Sequence, residues 1–394
     1  MKKIGVVCFD DFNTLSSGWA SISGEKAFRV NGIGDLNSSI LWISNLPFYF
    51  YKKFNLIKNP NIYDHQFFRT SLKMICDELG LDDNNKEVCR VCSQIFQRVY
   101  SLGLKEYDLS LEDAEYRYNS ALTTCILSSN IRQVPKGPYS AELVQAFKES
   151  TQQNQAMMGE PVKASRARSF SFPKGAYARE ILSQRVPTNT NWSKLKDSEV
   201  NITIGTKEEN KLKGSTSFFK MISEKYKDKC LFFKINVTYT SKFFRSFATF
   251  AMGSNYQRNW ITLPELIELA KYSIVEILEG YSCDSQYLKF DEIDLDADEY
   301  SYSRGLYLEN LWTAYALAIN NGEYFNPVGS YLRAYDRVYC LKAAYNFQKN
   351  NLRVGSYGTG RIVVYLKNSE HALATDIARS EGLLPPSNMV KKND

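Results

Sequence analysis

The chain has 394 residues, is 44% hydrophobic and carries a formal net charge of +6, enough apolar material for one large or two ordinary folded domains. Its only histidines are His65 and His371, which removes most histidine-based acid–base and metal chemistry. No G-x-x-x-x-G-K-S/T run is present, which excludes a phosphate-loop nucleotide site by motif. The apolar run after Met1 is too short for a signal peptide, and no stretch approaches the length of a membrane span. The expectation is a cytoplasmic chain with no membrane partner.

Residues 4–9 and 19–23 read as strands, rich in Val, Ile and aromatics. An apolar aromatic stretch at 40–50 is broken by Pro47. Spacings of three and four predict helices at 63–80, 86–102, 110–121 and 139–150, with Gly80 closing the first. The stretch 151–190 is polar and basic and holds three prolines, and reads as a long mobile loop or arm. Strands follow at 200–205 and 230–240. A helix is predicted over 263–280, opened by Pro264 and closed by Gly280. A strand at 286–295 and helices at 303–320 and 334–349 come next. A hairpin, 352–357 and 361–366, turns on Gly358-Thr359-Gly360, and a helix over 370–381 ends the pattern. Strands and helices mix without strict alternation, which is the α+β class.

Charge is unevenly placed. Residues 151–250 hold 18 Lys and Arg against 8 Asp and Glu, a local net of +10, whereas 281–310 has a net of −6. A concentrated basic region is the electrostatic footprint of a phosphate binder. Within it Arg166, Arg168, Phe170, Phe172, Lys174, Tyr177, Arg179 and Arg185 interleave cations with aromatics. Guanidinium groups hold phosphates, and rings stack on bases without reading them. Alternation puts Arg166, Arg168, Phe170 and Phe172 on one face of an extended strand. A weaker mixture of the same kind, with Arg245 and Arg258, runs from Lys242 to Arg258. Gly355, Gly358 and Gly360 flank Arg353 and Arg361, a hairpin that can approach a phosphate backbone closely or simply turn tightly.

Motifs for catalysis or metal are incomplete. The run VCFDDFNTL resembles the nucleophile segment of haloacid-dehalogenase-type phosphatases. Asp10 matches the first aspartate, but Phe12 stands where the second must move a proton, so the match reads as coincidence. Asp294, Asp296 and Asp298 have calcium-loop spacing, but Glu299 stands where Gly is needed and Gly305 where Glu is needed. Cys89 and Cys92 form the chain's one C-x-x-C, two ligands short of a closed zinc site. No cofactor is expected. Binding without catalysis is.

Several runs resemble the backbone subunits of CRISPR interference complexes, the "Cas seven" type: YDHQFFRTSL at 63–72, ILSSNIRQVPKG at 126–137, STSFF at 215–219, and the segment 263–280 with the strand and acidic residues after it. The resemblance implies an RNA-recognition-motif or ferredoxin-like palm with a large inserted helical domain and a basic β-hairpin or loop arm. It divides the chain into 1–62 and 200–300 as the two parts of the palm, 63–150 as the helical insertion, 151–199 as the basic arm and 301–394 as a helical and hairpin extension. It makes His65, Arg69 and Arg132 candidate RNA contacts and the arm at 160–190 a candidate thumb or finger; Lys136 joins the arginines, lysine and aromatics named above as a candidate nucleic-acid contact. The partners expected are single-stranded RNA, further copies of the chain along it, and other subunits. Open alternatives are a phage or plasmid single-stranded DNA-binding protein, a structural phage or virion component, and an enzyme, either a degenerate phosphatase or a phosphotransferase.

Overall fold

The computed structural model describes residues 3–54, 62–68, 70–81, 84–107, 134–151, 165–207, 210–241, 259–289, 299–317, 325–386 and 389. They fall into two compact units, Met1–Ile131 with Phe290–Ala314, and Arg132–Lys289 with Tyr315–Asp394.

The first unit is built on β1 (Ile4–Phe9), an IGVVCF strand buried on both faces. It pairs antiparallel with β2 (Gly18–Ile22), which carries β3 (Phe28–Val30), and parallel with β4 (Leu41–Ser44). After α1 (Phe48–Lys53), β5 (Ile62–Asp64) pairs parallel with β4 and completes the order β3-β2-β1-β4-β5. A run apolar at every position suits such a strand, because both sides are covered. Val7, Phe9, Trp42, Leu46 and Ile62 form a core cluster on one side. On the other, α2 (Leu72–Leu79) leads to α3 (Asn85–Tyr107), whose Gln97 side chain accepts from the Ile4 amide at 2.8 Å. Ser71 caps α2 by accepting from the Met74 amide at 3.1 Å, and Gly80 ends it in the left-handed conformation.

The second unit begins with α4 (Ala141–Thr151), then β6 (Arg166–Ser171), α5 (Lys174–Leu182), β7 (Arg185–Pro187) and β8 (Ser193–Lys194). It continues with β9 (Ile202–Lys207), β10 (Asn210–Lys211), α6 (Lys213–Lys225), β11 (Lys229–Thr240), β12 (Trp260–Thr262), α7 (Leu263–Leu269) and β13 (Ser273–Tyr287). The chain rejoins the first unit over most of α8 (Glu299–Leu317). It returns as α9 (Pro327–Lys349), β14 (Arg353–Gly358), β15 (Arg361–Leu366) and α10 (His371–Ser380). A seven-stranded sheet has the order β10-β9-β13-β11-β12, with β7 and β8 also on β13; a three-stranded sheet has the order β14-β15-β6. Helix α9 is buried along most of its length and carries a buried ion pair, Arg337 Nε to Glu265 Oε1 at 2.7 Å.

Three expectations are corrected. The single ferredoxin-like palm is absent from the described sheets: strands up to Asp64 form a sheet of their own, and strands of 200–289 join β7 and β8 in another. The helix over 263–280 stops at Leu269, and Ser273–Tyr287 is a long strand between β9 and β11. Its apolar residues fit both periods, but Ser273, Val275 and Ile277 are buried while Ile274, Glu276 and Leu278 are not, which is the alternation of a strand. The mobile arm is ordered over 165–199 as β6, α5, β7 and β8. The α+β class holds.

Candidate nucleic-acid interface

The three strands of the small sheet read RARSFS, RVGSYG and RIVVYL, with four arginines and no carboxylate. Antiparallel register aligns residues in cross-strand rows that share a face. One face has the rows Phe170–Ile362–Tyr357 and Arg168–Val364–Val354. Its apolar members are at most 2% exposed, and Phe170 packs on Phe347 of α9 at 5.1 Å. The opposite face has the rows Ala167–Tyr365–Arg353, Ser169–Val363–Ser356 and Ser171–Arg361–Gly358. These residues are exposed or half-buried, apart from the buried Gly358. On the open face β6 thus contributes small side chains, the central strand Tyr365, Val363 and, at its end, Arg361, and β14 places Arg353 at one corner. Tyr365 lies over Gly355, where a Cβ would come within 2.6 Å of the ring. Among the described residues, the exposed side chains of Arg361 and Arg166 make no ion pair or hydrogen bond.

The end of this sheet is fastened by a buried carboxylate. Asp336 of α9 is 3% exposed. Its Oδ2 accepts from the Thr359 amide at 2.8 Å, and its Oδ1 accepts from the Gly360 amide at 3.0 Å and from the Tyr177 hydroxyl. Burial, and then the Asp336 charge beside it, push the Tyr177 phenol well above its ordinary range, so it stays a donor. The Phe172 amide donates to Gly360 O at 2.9 Å, and the Phe172 ring stacks on Tyr177 at 5.2 Å.

The seven-stranded sheet uses its cations differently. Lys194 pairs with Glu279 at 2.6 Å, Lys229 with Asp284, and nearby Lys225 with Glu199. Arg185 reaches Asp228 at 2.9 Å, the Tyr287 hydroxyl at 3.0 Å and Ser285 at 3.1 Å. The Glu279 carboxylate raises the Lys194 ammonium, and hydrogen bonding from Lys229 lowers Asp284. Lys207 sits 5.6 Å from the Tyr239 ring centre, and Lys211 and Lys213 remain exposed at this sheet's edge.

The structure separates the residues singled out from sequence. Arg166 and Arg168 lie on β6, and Arg168 Nε is buried without a hydrogen bond. Phe170 and Phe172, at 0% and 7% exposure, have no ring face for a base, so the stacking role is corrected: both belong to the core. Arg179 is exposed on α5, and Lys174 begins that helix. Arg185 is occupied by the seven-stranded sheet. Lys136 is exposed in the segment before α4, and His65 begins the short helical turn after β5. Arg69, Arg132, Arg245, Arg258 and the acidic run Asp291–Asp298 lie outside the described residues. Sequence reading missed Ala167, Ser169, Ser171 and Tyr365, whose signal was alternation with small residues in a stretch without acids.

The motif residues in the first unit are occupied within the fold. Asp10, at the end of β1, accepts from Asn85 at 3.0 Å, Arg29 at 2.9 Å and Ser17 at 3.1 Å. These bonds, that from Asn85 first, lower its carboxyl below the usual range. Cys89 and Cys92 are buried, and Cys89 Sγ donates to Trp19 O at 3.0 Å. No group of His, Cys, Asp and Glu able to hold a metal occurs among the described residues, and no described helix is long and apolar enough to cross a membrane.

No family model and no curated protein matches the sequence. Among solved structures, the chain is similar to Phi29 DNA polymerase complexed with primer-template DNA, at 10% identity and a TM-score of 0.44, over 92% of this chain and 80% of that one. It is also similar to Phi29 DNA polymerase complexed with single-stranded DNA, at 11% identity and 0.41, over 93% and 81%. A family B DNA polymerase from Pyrobaculum calidifontis is similar at 8% identity and 0.28, over 98% and 56%. The expectation of a chain without catalysis is corrected by these neighbours, which are polymerases, and is withdrawn.

Proposed function

We propose that the open face of the β14-β15-β6 sheet binds nucleic acid by its phosphates. One observation carries this reading: three strands without an acid present an open face with Ala167, Ser169 and Ser171 on one edge strand, Arg361 on the central strand and Arg353 on the other edge strand. Small side chains let a backbone approach closely, and arginine forks grip phosphate oxygens in pairs. Two inter-strand spacings make the face about 10 Å across. A single polynucleotide strand fits that width, and Tyr365 supplies one ring beside it.

The test is fluorescence anisotropy with labelled single-stranded RNA, single-stranded DNA and duplex, over a salt series. The wild type should bind a single strand, with affinity falling steeply as salt rises. Reversing both Arg353 and Arg361 to Glu should cost about a hundredfold. Competition among the three polymers identifies the preferred one. Absence of binding at low salt, or a double reversal that binds as the wild type does, contradicts the reading.

A further inference from the structure

We infer that Asp336 is a positioning residue for the nucleic-acid face, holding Arg361 in register through the Thr359–Gly360 turn; this rests on the binding reading above. Both turn residues have positive φ, 55° and 70°, the geometry of a two-residue I′ hairpin. Gly360 accepts it freely, but a β-branched threonine disfavours it. The sequence therefore does not secure this turn by itself. Asp336 does, by accepting from both turn amides at once.

The carboxylate is kept in an unfavourable place. It is buried, and among the described residues its partners are the Thr359 and Gly360 amides, the Tyr177 hydroxyl and the Cys340 thiol at 3.6 Å, all neutral donors. Burying a carboxylate is costly unless hydrogen bonds compensate for the lost water. Here they join three elements at one point: α9 through Asp336, α5 through Tyr177, and the hairpin turn. The Phe172 amide, bonded to Gly360 O, ties in the end of β6. Arg361 is the next residue after the turn and faces Ser171 across the sheet. A turn released from Asp336 frees that end of the face while the apolar rows beneath it stay packed.

The experiment compares Asp336→Asn, Arg361→Gln and the double variant for binding a labelled single-stranded oligonucleotide across a potassium chloride series. Arg361→Gln should weaken binding about three- to tenfold and lower the salt slope by about one. Asp336→Asn removes no cation, yet should lower the slope to the same extent, and the double variant should fall no further. Adding Thr359→Asn to Asp336→Asn should restore binding, because Asn-Gly adopts this turn unaided. Asp336→Asn with wild-type affinity and slope beside a weakened Arg361→Gln overturns the inference alone. Losses that add in the double variant overturn it too. Arg361→Gln that binds as the wild type overturns both the inference and the binding reading. Should Asp336→Asn fail to fold, amide exchange in the wild type decides. Slow exchange at Thr359 and Gly360 is expected, and fast exchange at both overturns the inference.

Discussion

The two sheets of the second unit are both rich in cations, and they spend them differently. On and beside the seven-stranded sheet, Lys194, Lys225, Lys229 and Arg185 each meet a carboxylate. The strands of the three-stranded sheet hold four arginines and no carboxylate. Residues 151–250 carry a local net of +10, but Lys194, Lys225, Lys229 and Arg185 within that stretch are paired at close range inside the fold. The smaller sheet, two of whose three strands lie outside that stretch, keeps Arg361 exposed on its open face. Charge available to a partner is set by the pairing register of the strands, and a sum over a stretch of sequence does not reveal it.

The comparison can be broken or sharpened at several positions. The largest effect belongs to the inner face. Phe170→Ala should cost about 3–5 kcal/mol in denaturant unfolding, the range for a buried aromatic. The fraction that remains folded should bind oligonucleotide as before, because the ring lies beneath the sheet. A selective loss of binding at unchanged stability would return Phe170 to a stacking role. Next, Ser169→Glu places a carboxylate on the open face. It should weaken binding about tenfold by repulsion and leave the melting temperature within a few degrees. Unchanged affinity would move the site away from this face.

Smaller effects are expected on the seven-stranded sheet. Lys194→Gln and Lys229→Gln remove cations that already have partners, so affinity should change by less than about twofold. Losses as large as that of Arg361→Gln would reverse the comparison. The smallest effect is in pH. Asp284 has a lowered folded pKa, so its contribution to stability is fully present above the unfolded carboxylate value of about 3.9. It is lost as pH falls through the lower folded value. An NMR titration of Asp284 should therefore have a midpoint below about 3.9 in the wild type, and one nearer that value in Lys229→Gln.

Much of the fold was legible as periodicity. Strands β1, β2, β9 and β11, helices α3, α4 and α9, and the Gly358–Gly360 hairpin stand close to where pattern places them. Others were not: the helix placed over 63–80 is confined to α2, after β5 and a short helical turn, and α6 was not foreseen. Ser273–Tyr287 has apolar residues that satisfy helical spacing, and its pairing with β9 and β11 decided the matter. Arg166–Ser171 showed the alternation of an extended strand but not the partner that makes it one. It becomes one by pairing with Arg361–Leu366, far away in sequence, which no local pattern shows. The site was divided in the same way. The glycine and arginine hairpin was visible as a place for phosphate, and β6 as a basic stretch, but nothing local said that they form one surface. The cation–aromatic alternation of β6 was visible as well. Its aromatic half proved to be core, because rings at alternate positions of a half-covered strand fill the covered face first.

The central claim is that nucleic acid lies on the open face of the three-stranded sheet. Ultraviolet crosslinking to a photoreactive single-stranded oligonucleotide, with the crosslinked peptides located by mass spectrometry, tests it most directly. The predicted result is attachment at Tyr365 or within 353–366 and 166–171, lost when Arg353 and Arg361 are reversed to Glu. Attachment confined to 193–240, along the seven-stranded sheet with its exposed Lys211 and Lys213, would contradict it.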